Sequence, residues 1–200
     1  MDLLGFILLL LIILVYLLVI SKRFDAADAE VSKPKPIRKV FVDDSQSDVF
    51  ASEYKSILMN NRELRERYDI QFTDVKNADI FIYLMPREKM ESLNTEKIER
   101  YVDGSKISFS WTYQSPKPTV YIDETNWYDG VKQSGLSISE YRQYLALHEF
   151  LHALGYDHQP CKGDVCPVMY QATRGPPPGK KAGYNITPLD WTKKIAGSYF

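Results

Sequence analysis

Leu145–Cys161 reads LALHEFLHALGYDHQPC, and the three histidines of the 200-residue chain, His148, His152 and His158, all fall inside it. The stretch completes a segment, residues 137–155 (SISEYRQYLALHEFLHALG), with the marks of a helix. Ser137 or Ser139 can cap its start, and Glu140 stands in the first turn, where a carboxylate meets the positive end of the helix dipole. Tyr144, Leu145, Leu147, Leu151 and Leu154 supply apolar surface, and Gly155 stands where a left-handed residue ends a helix. Residues four apart on a helix lie one above the other, so His148 and His152 can point at a single ion. Glu149 is rotated by about 100° from His148, so it can miss the ion and reach a water bound to it. A turn at Gly155 sends the chain back, and three residues later His158 can supply a third nitrogen. Three protein ligands leave a fourth position open, which marks a catalytic zinc site and not a closed structural one.

The alternative is that three core or surface histidines are neighbours by chance. H-E-x-x-H alone would arise in roughly 0.3% of such chains, whereas all five fixed positions of H-E-x-x-H-x-x-G-x-x-H would arise in roughly one in a million. The expected context (helix before, glycine at the turn, histidine after) is present as well.

Upstream, RKVFVDD (38–44) reads as a strand, and residues 45–68 carry Val49, Phe50, Tyr54, Ile57, Leu58 and Leu64 on one helical face behind Ser47 or Asp48 as cap. DIQFTDV (69–75) and the almost wholly apolar ADIFIYLM (78–85) read as strands, the second buried. Strand–helix–strand order predicts a parallel pairing with a right-handed crossover. TEKIERYV (95–102) is expected to be a short helix, and KISFSW (106–111) and TVYIDE (119–124) further strands. After the Pro/Gly-rich 174–183, Thr187, Pro188 and Asp190 predict the start of a last helix.

Composition is that of a folded globular protein, 44% hydrophobic and 26% charged. A net charge of -1 offers no basic excess to neutralise phosphates, so nucleic acid is not the expected partner. Residues 3–20, LLGFILLLLIILVYLLVI, carry no charge and are long enough to cross a hydrocarbon core of about 30 Å. They lack the basic start and small-residue cleavage site of a signal peptide, which predicts an uncleaved anchor in the lipid bilayer. The expected organisation is an anchor over 1–20, a polar tether over 21–37 and a catalytic domain over 38–200, in a single-pass membrane protein. Lys22 and Arg23 favour a cytoplasmic domain by the positive-inside rule. Cys161 and Cys166 can close a small disulfide loop, implying an oxidising compartment, or stay as two reduced thiols.

With these residues in view, the chain resembles the metzincin metalloproteases, whose motif is the one spelled by His148, Glu149, His152, Gly155 and His158. CPVMYQ (166–171) places Met169 eleven residues after His158, similar to the Met-turn of the matrixin branch, where tyrosine follows methionine directly. NADIFIYL and TVYIDETNWYD are similar to matrixin strands, and ITPLDWTKKIAGSYF to the closing helix, so the resemblance extends over 38–200 but is specific across 148–170. It implies an α+β fold: a twisted mixed sheet of about five strands, an active-site helix and a C-terminal helix, here preceded by one transmembrane helix. It implies one catalytic Zn2+ held by His148, His152 and His158, with Glu149 as general base and Met169 as an apolar floor. The implied reaction is hydrolysis of a peptide bond in a protein or peptide laid along the edge strand around Lys106–Trp111, with the 174–179 loop lining a pocket. Family habit places most such enzymes outside the cytoplasm, against the flanking charges, and leaves the side of the membrane open. No cysteine precedes the motif, so no cysteine-switch propeptide is expected. The competing reading is a catalytically silent zinc-containing membrane-tethered binding domain, which the retained Glu149 argues against because zinc binding alone does not need it.

Overall fold

Alternation of burial along β1 (Ile37–Val42) sets the architecture: Val40 and Val42 point into the core, while Phe41 points the other way and is half-buried. The structure, a computed structural model, describes residues 12–20, 34–93, 98–100, 106–108, 110–113, 117–186 and 189–192, with the backbone alone for 98–100 and 106–108. The chain divides into two compact units, Met1–Pro36 and Ile37–Phe200.

In the second unit, β2 (Asp69–Phe72), β1, β3 (Ile80–Met85), β7 (Thr119–Asp123) and β6 (Trp111–Tyr113) form one sheet in that spatial order. The pairings are parallel except for β6, which runs antiparallel to β7 at the edge. Ile80, Ile82 and Leu84 of β3 and Val120 and Ile122 of β7 form the apolar inner face. The outer face carries aromatic rings in series: Phe41 lies 6.1 Å from Tyr83, Tyr83 6.1 Å from Tyr121, and Tyr121 5.5 Å from Trp111.

Helices cover the inner face. Between β1 and β2 the chain makes α1 (Asp48–Asn60) and α2 (Arg62–Arg67), where a single helical run was expected. The break is at Asn61, whose extended backbone (φ -78°, ψ 108°) ends α1 while its side chain accepts from the Leu64 amide at 2.9 Å and starts α2. Asparagine competes with the helix for backbone partners in this way. Ser47 is the α1 cap, accepting from the Phe50 amide. α3 (Arg87–Leu93) follows β3, and α4 (Glu124–Asp129) follows β7. Asp123 is fully buried at the β7–α4 junction, where its carboxylate meets the Arg87 guanidinium at 2.6 Å and caps the Asn126 amide.

α5 (Ile138–Ala153) crosses the inner face. Ser137 and Glu140 form a full capping box at its start, each side chain bonding the other's backbone amide. Trp127 packs edge-to-face on Phe50 at 4.9 Å and stacks on Tyr54 at 6.0 Å, beneath α5. Such pairs contribute about 0.5–1.5 kcal/mol each beyond area burial.

Four expectations need correction or fall outside what is described. The transmembrane helix is not supported: among the described residues no helix is long and apolar enough to cross a membrane. Within residues 3–20 the described ones, 12–20, are helical. Residues 1–11, and 21–33 of the tether, lie outside the described residues. With that helix falls the single-pass localisation, and the expected bilayer partner loses the feature that suggested it. The segment expected as a helix at 95–102 contains β4 (Ile98–Arg100), which pairs antiparallel with β5 (Lys106–Ser108) in a separate two-stranded sheet. That pairing takes Lys106–Ser108 out of the main sheet, while Trp111, the end of the expected edge strand, begins β6 at the sheet edge beside β7. Most of the expected C-terminal helix lies outside the described residues; within them, 191–192 form a turn after Asp190, whose carboxylate accepts from the Thr192 amide and hydroxyl.

Candidate metal centre

The end of α5 aligns the first two histidines, and the turn after it brings in the third. Leu154 caps the helix, and Gly155 follows at φ 85°, a left-handed conformation that a residue with a Cβ rarely adopts. The Tyr156 amide then bonds back to the Leu151 carbonyl at 2.9 Å. Two residues on, exposed His158 faces His152, with their Nε2 atoms 3.0 Å apart. The Nε2 atoms of His148 and His152 are 3.2 Å apart, and the ligating atoms of all three rings lie within 4.8 Å of one another.

The far side of each helix-borne ring settles its protonation. His148 Nδ1 lies 2.7 Å from the Val168 carbonyl oxygen, and His152 Nδ1 lies 2.8 Å from that of Tyr156. A carbonyl only accepts, so the proton sits on Nδ1 in both rings and each Nε2 presents a lone pair. Burial pushes the His148 pKa well below its usual value, helped by the neighbouring His152 and His158 rings, and keeps this imidazole neutral. The facing lone pairs of His148 and His152, 3.2 Å apart, repel unless a cation lies between them. Nitrogens bound tetrahedrally at 2.0–2.1 Å stand about 3.3–3.4 Å apart, close to the two spacings here. The donor set therefore fits a single ion of the zinc type, with carbonyls orienting the ligands from behind.

Glu149 is almost fully buried, 4% exposed, beside His148. Its carboxylate Oε2 accepts from the Thr112 hydroxyl at 2.9 Å, and the same hydroxyl lies 3.0 Å from the Glu149 carbonyl. Met169 is fully buried in a turn closed by the Tyr170 amide on the Pro167 carbonyl at 2.9 Å. The Met169 carbonyl accepts from the Gln159 amide at 3.0 Å, tying this turn to the residue after His158. Gln159 also exchanges two bonds with the Asp190 backbone, at 2.8 and 3.0 Å. Tyr144 donates to the Tyr170 carbonyl and accepts from the Ala172 amide, fixing the chain just past Met169.

Cys161 and Cys166 are bonded as a disulfide. The Lys180 ammonium closes the same loop on the Cys161 and Lys162 carbonyls. Gly183 passes so close that a Cβ there would collide with the Cys166 carbonyl.

All seven site residues marked in the sequence thus fall into one neighbourhood. Sequence reasoning missed Thr112, Gln159 and the carbonyls of Val168 and Tyr156. Only the Tyr156 carbonyl had a signal, because the turn at Gly155 leaves a backbone group near the last helical histidine. The others meet the site through tertiary packing that no spacing records.

The chain belongs to the family described as a protein of unknown function, DUF3152, which matches residues 40–186 and so spans every residue of the centre. It is also similar to Endoribonuclease YbeY of Syntrophus aciditrophicus (strain SB), with 22% identity over 132 residues, 62% of this chain and 82% of that protein. That relative's name is that of an endoribonuclease and not of a protease, so the protease expectation gains no support from it. No solved structure matches the chain.

Proposed function

We propose that this chain is a zinc-dependent hydrolase with Glu149 as its general base, and that the bond it cleaves is a peptide bond. The observation that carries the proposal is the convergence of three histidines, two of them presenting Nε2 lone pairs because carbonyls hold their Nδ1 protons from behind, with a buried carboxylate one residue along the helix. Zinc, when bound, supplies Lewis acidity: it acidifies a coordinated water and polarises the bond to be cut. His148, His152 and His158 would hold it. Glu149 accepts the water proton on its carboxylate and passes it to the leaving group, a nitrogen in the peptide reading. A binding domain that only needed the ion would gain nothing from burying this carboxylate, which is costly unless hydrogen-bonded.

A second reading, cleavage of RNA, is favoured by the likeness to an endoribonuclease. The same ion and base would serve a phosphodiester, but a chain of net charge -1 has little with which to hold a polyanion. The deciding experiment offers the zinc-loaded full chain a mixed peptide library and, separately, single-stranded RNA, beside the Glu149→Gln variant. Peptide cleavage falling by about 10²–10⁴ in the variant, with zinc retained, is the expected result. RNA cleavage with the same dependence would replace the substrate class, and zinc binding without turnover of either would favour a silent binding domain.

A further inference from the structure

Thr112 is the middle residue of β6, opposite Val120 of β7 at the edge of the sheet. Its neighbour Trp111 packs on Tyr121 of the outer face. Strand alternation therefore turns Thr112 inward, toward α5. There its hydroxyl stands 2.9 Å from Glu149 Oε2 and 3.0 Å from the Glu149 carbonyl. A hydroxyl has one proton to give. The ionised carboxylate is the stronger acceptor, since charge-assisted bonds are shorter and stronger than neutral ones, and the helical carbonyl already serves its own ladder. Threonine is also stiff at χ1, so this donor is aimed by the strand with little freedom of its own. Glutamate, in contrast, has three side-chain torsions to fix before an oxygen stands at one place.

We propose that Thr112 is a positioning residue: its hydroxyl anchors Oε2 of Glu149 to the edge strand and holds the carboxylate in the orientation from which it acts as base. This rests on the hydrolase reading above. The edge strand then has a part in the chemistry without touching the reacting atoms. Misplacing a reacting group by about 1 Å can cost on the order of 10² in rate.

The test compares the full chain with Thr112→Val, which keeps the shape and removes the donor, and Thr112→Ser, which keeps the donor. Each is loaded with Co2+ for its visible absorption spectrum and with zinc for metal content, kcat and KM. The expected result is full zinc content in all three. The Co2+ spectrum should change in Thr112→Val and match the parent in Thr112→Ser, since a loosened carboxylate alters the surroundings of the ion and a merely structural threonine would not. With turnover, kcat should fall by about 10–100-fold in Thr112→Val with KM unchanged, and return to within about threefold in Thr112→Ser. An unchanged spectrum in Thr112→Val overturns the proposal whatever kcat does. So does a Thr112→Ser variant as impaired as Thr112→Val, or zinc loss in either. If the parent cleaves neither peptide nor RNA, the hydrolase reading fails on its own terms and the spectra still decide whether Thr112 orients Glu149.

Discussion

The helix-borne and loop-borne histidines of the candidate centre are held by different means. His148 and His152 stand on the last two turns of α5, each with its Nδ1 fixed by a carbonyl, and His148 is only 4% exposed. His158 stands on an exposed stretch beyond Gly155, tied down through its neighbours: Gln159 to Met169 and Asp190, then the Cys161–Cys166 disulfide and the Lys180 clamp. The first pair is organised by secondary structure and core packing, the third by a stapled loop. Metal affinity should therefore depend on both regions, and the stability of the metal-free fold mainly on the first.

Replacing the ligands separates the two most sharply. His148→Ala and His158→Ala should each weaken zinc binding by at least about 100-fold, since each removes one of three nitrogens. Only His148→Ala also leaves a cavity and a buried Val168 carbonyl without its donor, so it should destabilise the metal-free protein by about 1–3 kcal/mol. Calorimetric zinc titration and chemical denaturation of the metal-free variants measure both quantities. Equal losses of stability would show that the loop ligand is as deeply built in as the helical one.

The staple is the next place to press. The disulfide joins residues five apart, and closing so short a loop is worth about 2 kcal/mol in the chain-entropy account. The Cys161→Ser/Cys166→Ser double variant should lose about that much stability and bind zinc several-fold more weakly through His158. α5 should be unaffected, as amide exchange along 138–153 would report. Unchanged zinc affinity would mean that Gln159 and its partners hold the loop alone.

How much of this was legible in the sequence follows the same division. Features written locally could be read: a serine cap and acidic first turn at the start of α5, the i,i+4 histidines, the glycine that ends α5, the parallel order of β1, β2 and β3. Those made by distant partners could not. Residues 98–100 are a strand because 106–108 pair with them, whatever their own pattern suggested. Asn61 splits a continuous apolar face because its side chain caps the next helix, a choice that periodicity does not register. Thr112 reaches Glu149 across 37 positions of sequence. The hydrophobicity of residues 3–20 was plain, and among the described residues no helix is long and apolar enough to cross a membrane.

The smallest effect expected is one of pH, and it tests whether His148 is as buried in solution as the comparison requires. Its pKa in the folded, metal-free protein lies well below the 6.5 of a free imidazole, chiefly because burial penalises the charged ring. Below 6.5 the unfolded chain takes up a proton that the folded state refuses, so unfolding becomes easier as pH falls. The contribution of His148 should be fully present above about pH 7. It should decline through 6.5 by up to about 1.4 kcal/mol per pH unit, until the folded ring itself protonates. Other groups titrate in the same range, so the informative quantity is the difference from His148→Gln, measured by denaturation between pH 5 and 8. The parent should lose stability faster than the variant on acidification. Parallel curves would mean that the ring is open to solvent, and that the two classes of ligand differ less than their surroundings suggest.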